Sequence, residues 1–167
     1  MTGGFPLTVM LGSEADTAAL AARLGAVLGA GDVVLLQGPI GAGKTAFARA
    51  LIQSRQAALG PVEDVPSPTF TLVQSYRAGE LEILHADLYR LSHPDEALEL
   101  GLEDGFETAL CLVEWPERLG SLAPEGALWL RFAPGDGPDE RRLTVESDGF
   151  SRAAAVRGAL ETVRHDA

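Results

Sequence analysis

The 167-residue sequence contains a single lysine, a single cysteine and no asparagine. One cysteine, Cys111, cannot form an internal disulfide, and no residues have the spacing of zinc ligands. No apolar run approaches the roughly 18 residues that a membrane helix requires. The N-terminus also lacks the basic and long apolar regions of a secretion signal. These absences predict a protein of the reducing cytoplasm that does not act at a membrane.

Positive charge is scarce as well, because 13 Lys and Arg residues stand against 24 Asp and Glu residues, a net charge of −11. Such a surface repels polyanions, which argues against direct binding to DNA or RNA. Work on nucleic acid through a partner that supplies positive surface stays open. With 46% hydrophobic residues, the composition is typical of a globular chain, and we expect residues 1–167 to form one domain.

The one lysine lies in the segment VVLLQGPIGAGKTAFARALI, residues 33–52. Within it, GPIGAGKT at 38–45 matches the phosphate-loop pattern G-x-x-x-x-G-K-[ST]. An apolar run typical of a buried strand precedes the match and a helical pattern follows it, as this loop requires. Lys44 has a slim stem and a compact ammonium, which fit among loop amides where a planar guanidinium would not.

The glycines of this loop allow a tight turn that presents backbone N–H groups to phosphate. The helix that follows directs its positive end at the same ligand. Lys44 is expected to reach the β and γ phosphates, and Thr45 to offer its hydroxyl to Mg²⁺. The nucleotide-binding residues predicted from the loop are Gly38, Pro39, Ile40, Gly41, Ala42, Gly43, Lys44, Thr45 and Ala46.

The same segment also fits a dinucleotide-binding turn, G-x-G-x-x-A at 41–46, with Glu63 and Asp64 at the distance of a ribose-binding acid. That fold needs its acid at the end of a second buried strand. Here the acids lie in GPVEDVPSP, whose prolines break a strand. We therefore favour the phosphate loop.

Two later apolar runs end in acids, LEILHAD at Asp87 and LCLVE at Glu114. Parallel strands beside the phosphate loop would bring both carboxylates to one edge of the sheet. We expect Glu114 to bind the metal directly or through water, and Asp87 to position the attacking water or to contact the metal indirectly. Either acid could instead cap a helix or lie on the surface.

Three neighbouring residues carry weaker expectations. Thr69 follows two prolines in PSPTF and could sense the γ phosphate as switch loops do, or could simply begin a strand. His85 shares a strand face with Asp87, and a packed core histidine is the favoured interpretation. Trp115 follows Glu114 and either packs in the core or contacts a partner or substrate.

The element pattern alternates strands and helices and includes hairpins. It predicts a single-domain α/β, P-loop NTPase-like sandwich with a mixed parallel and antiparallel sheet flanked by helices. The strands are expected at 5–11, 32–38, 69–77, 81–90, 109–115, 127–133 and 141–147. The helices are expected at 13–31, 44–60 and 151–165, with a short acidic helical piece at 93–106.

The absence of asparagine removes the N-K-x-D signature that reads guanine, so adenine is the expected base. Four blocks, GPIGAGKT, SPTFTLV, HADLYRL and VEWPE, resemble in this order the bacterial TsaE (YjeE) family, over residues 10–145. That family is a small P-loop ATPase of the pathway that makes N6-threonylcarbamoyladenosine in tRNA. The resemblance implies ATP and Mg²⁺ as ligands, feeble hydrolysis alone, and action with the TsaB–TsaD pair, which contacts tRNA in its place.

The resemblance also implies roles for individual residues. Lys44, Asp87 and Glu114 would serve catalysis, and Thr45, Glu114 and Asp87 would serve the metal. Thr69 would belong to the switch-like loop, and Trp115 would lie near the site. Further residues that would approach the nucleotide are Thr17 and one of Arg141 or Arg142, of which Arg142 is our choice.

Two other functions compete with a partner-dependent ATPase. A P-loop kinase of small molecules usually carries a lid with several arginines, and here the arginines are scattered. A scaffold that binds ATP without turnover would not need Asp87 and Glu114.

Overall fold

A computed structural model describes residues 5–147 and 149–166, with side chains described as far as residue 161. Its strands are β1 Leu7–Leu11, β2 Val33–Gln37, β3 Val73–Ala78, β4 Leu81–Asp87, β5 Leu110–Glu114, β6 Leu128–Pro134 and β7 Arg141–Ser147. Its helices are α1 Glu14–Val27, α2 Lys44–Ala57, α3 Asp95–Glu99, α4 Leu102–Thr108, a 3₁₀ helix Pro116–Leu122, and α5 Ala153–Asp166.

The seven strands form one sheet in the order β1-β7-β6-β2-β5-β4-β3. The four central strands, β6, β2, β5 and β4, run parallel, and the strands outside them pair antiparallel. All five residues of β5 are buried, and so are the first four of β2, because helices cover both faces of the sheet. The predicted α/β fold with a mixed sheet is confirmed.

Each face of the sheet carries its own apolar core. One core joins α1, α2 and α5 to the sheet, and its fully buried members include Leu20, Leu24, Phe47, Leu51, Leu112 and Leu160. The other joins α3, α4 and the 3₁₀ helix to the opposite face, through Ala97, Leu102, Leu119, Leu35 and Val113. None of the described helices has the length and apolar character needed to cross a bilayer.

Two predicted elements differ from the structure. The strand expected at 69–77 begins only at Val73, because the chain first turns so that the Leu72 N–H donates to the Pro68 carbonyl at 2.7 Å. The acidic piece at 93–106 forms two short helices, α3 and α4, separated by Gly101 in the left-handed region at φ +76°. The other predicted elements are present with ends shifted by a few residues, and α5 extends into residues whose side chains are not described.

Candidate active site

The glycine-rich loop connects the carboxyl end of β2 to α2, which begins at Lys44. Gly38 has φ +156°, and a Cβ there would lie 2.7 Å from the backbone oxygen of Phe132 on β6. Gly43 precedes the helix at φ +106°, a conformation that residues with a side chain rarely adopt. The loop can therefore pack against β6 only with glycine at its first position.

The Lys44 side chain folds back over this loop and is 4% exposed. Its Nζ donates to the Gly38 carbonyl and lies 3.6 Å from the centroid of the Trp115 ring. Burial lowers the pKa of Lys44 below 10.5, while the carboxylates of Glu114, Glu117 and Asp87 act in the opposite direction. The ammonium is thus held by a carbonyl and a ring, contacts that phosphate oxygens can replace.

Glu114 ends β5 and accepts hydrogen bonds from two side chains. The Thr45 hydroxyl donates to its Oε1 at 2.8 Å and approaches its Oε2 at 3.0 Å. His85 Nε2 lies 2.6 Å from the same Oε2. The carboxylate is 2% exposed, and no arginine or lysine of the described chain forms an ion pair with it. A buried carboxylate without an arginine or lysine ion pair among the described residues is suited to a cation that arrives with a ligand.

Asp87 ends β4 directly opposite Glu114 in the strand register. Its Oδ1 accepts from the backbone N–H of Tyr89 at 3.0 Å, and its Oδ2 faces the Thr69 hydroxyl at 3.4 Å. Ser67 and Thr69 hydroxyls lie 2.7 Å apart. The backbone N–H of Asp87 also donates to the carbonyl of Leu72 at 2.8 Å, at the end of the turn that contains Thr69. Turn and carboxylate are therefore joined through both side chain and backbone.

These groups share one cavity of about 480 Å³. The predicted site residues that line it are Ile40, Gly41, Ala42, Gly43, Lys44, Thr45, Ala46, Thr69, Asp87 and Glu114. Trp115 lines it too, in the left-handed region at φ +57°. Gly38 and Pro39 belong to the loop without being among the described lining residues. The structure thus brings the loop, both acids and Thr69 to one place.

Two predicted nucleotide contacts lie elsewhere. Thr17 is buried in α1 with its hydroxyl 3.4 Å from the Ser13 carbonyl, and the α1 residue that lines the cavity is Glu14. Arg142 is exposed on β7. Its neighbour Arg141 instead donates from Nη2 to the Gly41 carbonyl at 3.2 Å. Arg141, and not the predicted Arg142, is therefore the arginine that contacts the loop.

Sequence reasoning missed three residues of the cavity lining, Glu14, Ser67 and Tyr89. Tyr89 packs with its ring centroid 4.9 Å from that of Trp115. Tyr89 follows Asp87 by two positions and Ser67 belongs to PSPTF, so both lie within the sequence motifs described above. Glu14, at the start of α1, carried no such signal.

The turn beside the cavity carries an exposed aromatic ring. Phe70 is 83% exposed, and the guanidinium of Arg90 lies 4.6 Å from its ring centroid. Apart from this cation–π contact, most of the apolar surface of Phe70 is open to solvent.

The oxygen ligands at the loop fit Mg²⁺. This ion takes one or two carboxylates together with water and substrate phosphates, rather than a complete set of protein ligands. The Thr45 hydroxyl and the Glu114 carboxylate are adjacent, and Asp87 lies across from them. Among the described residues, no group of three or more His, Cys, Asp and Glu side chains could hold a metal alone. The cation would therefore depend on the ligand that brings it.

Comparison with known proteins identifies a family whose members resemble this chain. The family model described as "Threonylcarbamoyl adenosine biosynthesis protein TsaE" matches residues 11–143. A protein of Rickettsia bellii named "tRNA threonylcarbamoyladenosine biosynthesis protein TsaE" is 41% identical over 80% of this chain and 90% of its own length. The Bacillus subtilis protein of the same name is 36% identical over 80% of this chain and 81% of its own length.

A third relative of that name, from Rickettsia conorii, is 45% identical over 64% of this chain, and the match spans 59% of the relative's length. Among solved structures, Bacillus subtilis YdiB superimposes with a TM-score of 0.75 at 31% identity, covering 96% of each chain.

Proposed function

This chain belongs to the TsaE family, and from that premise we propose that it binds and hydrolyses ATP in the biosynthesis of threonylcarbamoyladenosine in tRNA. The observation that carries the proposal is the meeting, in one cavity, of Lys44, Thr45 and the two opposed acids Asp87 and Glu114. A phosphate loop alone binds nucleotide, whereas two buried carboxylates beside it add the groups that hydrolysis requires.

Binding of ATP would exchange the contacts that Lys44 makes now. Its ammonium would leave the Gly38 carbonyl and the Trp115 ring for phosphate oxygens, while loop amides and the first turn of α2 bind the same phosphates. Thr45 and Glu114 would hold Mg²⁺, which neutralises phosphate charge when bound. Glu114 is already oriented for this task by the Thr45 hydroxyl.

Hydrolysis would then depend on Asp87. Its Oδ2 would accept a hydrogen bond from a water molecule and direct that water at the γ phosphorus. The new bond would form between the water oxygen and this phosphorus, and the bond to the ADP oxygen would break with its electron pair passing to ADP. The proton that the water loses would go to an oxygen of the inorganic phosphate formed. Lys44 would stabilise the negative charge that collects on the departing oxygen. Thr69, 3.4 Å from the same Oδ2, would report whether the γ phosphate is present.

The partners we propose are TsaB and TsaD. A chain with a net charge of −11 is poorly suited to bind tRNA itself, so the positive surface would come from them. ATP turnover here would sustain repeated cycles of the modification that the pair carries out. A kinase of small molecules is less well supported, because no arginine is among the described residues that line the cavity.

Phosphate release from ATP and Mg²⁺ tests the proposal, measured for the chain alone and with purified TsaB–TsaD. We expect slow release alone and clear stimulation by the pair. Lys44→Ala and Glu114→Ala should abolish both rates, and Glu99→Ala, a change to an exposed carboxylate on α3, should preserve them. Absence of stimulation at saturating partner would contradict the proposal, and turnover that requires a small-molecule acceptor would favour the kinase.

A further inference from the structure

A buried histidine contacts the carboxylate that we propose as a metal ligand. His85 is completely buried on β4, and its Nε2 is 2.6 Å from Glu114 Oε2. Its other ring nitrogen, Nδ1, is the one buried side-chain nitrogen or oxygen without a hydrogen-bond partner in the described part of the chain. A buried polar ring with a single contact needs an explanation beyond packing.

The strand register creates this contact. His85 pairs with Leu112 on β5, and Glu114 follows Leu112 by two residues on the same face. The imidazole therefore approaches the carboxylate diagonally, from the side of the sheet interior. Thr45 approaches the same carboxylate from α2. Glu114 is thus held between a helix and a neighbouring strand.

The roles of donor and acceptor follow from the partners. An ionised carboxylate only accepts, so the proton of the contact lies on His85 Nε2. With this proton on Nε2, His85 donates one hydrogen bond to Glu114, and its Nδ1 contacts no described polar group.

We propose that His85 is a positioning residue, which fixes Oε2 of Glu114 and thereby directs Oε1 to the Thr45 hydroxyl, the two groups that would hold Mg²⁺. This inference rests on the proposed function, since it assigns a metal role to Glu114. Without His85 the Glu114 carboxylate could rotate away from Thr45. Binding of the metal would then have to order this side chain first, which would lower the affinity for Mg²⁺. Nucleotide contacts made by the loop and Lys44 do not involve this ring.

The test measures Mg²⁺ affinity directly. A non-hydrolysable ATP analogue is titrated by calorimetry in chelator and across a Mg²⁺ series, for the full chain and four variants. His85→Leu removes the donor at similar volume, and His85→Gln retains an N–H that can reach Glu114. His85→Asn is polar but one methylene shorter, and falls short of the carboxylate. Leu112→Val perturbs the packing in the same register without touching a polar contact.

We expect the apparent Mg²⁺ dissociation constant to rise about tenfold in His85→Leu and His85→Asn. His85→Gln and Leu112→Val should stay within about threefold of the wild type. The affinity for the analogue in chelator should not change. Should His85→Leu fail to fold, the contrast between Asn and Gln carries the same information.

Wild-type Mg²⁺ affinity in His85→Leu, or equal loss in the Gln and Asn variants, would overturn the positioning role. If Mg²⁺ does not change the affinity of the wild-type chain for the analogue, the proposed function is refuted instead. Failure of the positioning role and failure of the proposed function therefore give different results.

Discussion

Thr45→Val removes one hydroxyl and nearly preserves the shape of the side chain, which makes it the sharpest perturbation of the proposed metal site. The wild-type hydroxyl donates to a buried carboxylate at 2.8 Å, and the two side chains come from α2 and β5. A hydrogen bond to a charged group contributes about 1.5–3 kcal/mol. Because Glu114 keeps its contact with His85, we expect the free energy of unfolding to fall by about 2 kcal/mol.

The same change has a second, functional consequence. Valine offers no oxygen to Mg²⁺, so the metal should strengthen nucleotide binding less, and the apparent Mg²⁺ affinity should fall by at least about tenfold. Binding of the nucleotide in chelator should persist, since the loop amides and Lys44 remain.

Urea unfolding followed by circular dichroism, in chelator, measures the first effect, and calorimetric titration with and without Mg²⁺ measures the second. Thr69→Val is the matched control for stability, because its hydroxyl contacts Asp87 at 3.4 Å and the exposed Ser67 hydroxyl at 2.7 Å, where water can replace it, and should contribute less than about 1 kcal/mol. A Thr45→Val protein that unfolds at the wild-type midpoint and still responds fully to Mg²⁺ would refute the reasoning.

Three further predictions concern the loop. Gly38→Ala should lower the free energy of unfolding by about 3 kcal/mol, because its Cβ would lie 2.7 Å from a β6 carbonyl oxygen. Gly41→Ala has open space around its Cβ and should lower it by only about 1 kcal/mol, the cost of its left-handed backbone. Unfolding in urea measures both differences. Burial lowers the pKa of Lys44, and only its ammonium form binds phosphate. The affinity for the ATP analogue should therefore decline as the pH rises, beginning at a pH below the 10.5 of a free lysine. Titrations of the analogue across the alkaline range measure this decline. Arg141→Ala should weaken analogue binding about threefold through loss of its bond to the loop, and Arg142→Ala should leave it unchanged, as calorimetry would show.

The fold and the heart of the site could be predicted because their signals are local. A buried strand, a glycine loop and a helix follow one another in sequence, and the acids at 87 and 114 each end an apolar run. The start of β3 could not be predicted, because residues 69–72 alternate like a strand while their backbone turns to bond Pro68 and Asp87.

Contacts between strands that are distant in sequence were beyond reach for a different reason. Whether Arg141 or Arg142 meets the loop depends on the pairing of β7 with β6, since a shift by one residue exchanges the faces. The same holds for His85, whose bond to Glu114 exists only because β4 and β5 align as they do.

The turn before β3 has a mechanical consequence. Its carbonyl at Leu72 accepts the backbone N–H of Asp87 at 2.8 Å, and its Thr69 hydroxyl faces the Asp87 side chain, while the Phe70 ring projects outward. Because these contacts join the turn to Asp87, a displacement of the Phe70 ring would be transmitted to that carboxylate through Thr69 and Leu72. A molecule that binds Phe70 from outside the cavity would therefore act on the position of Asp87, the residue that we propose orients the water.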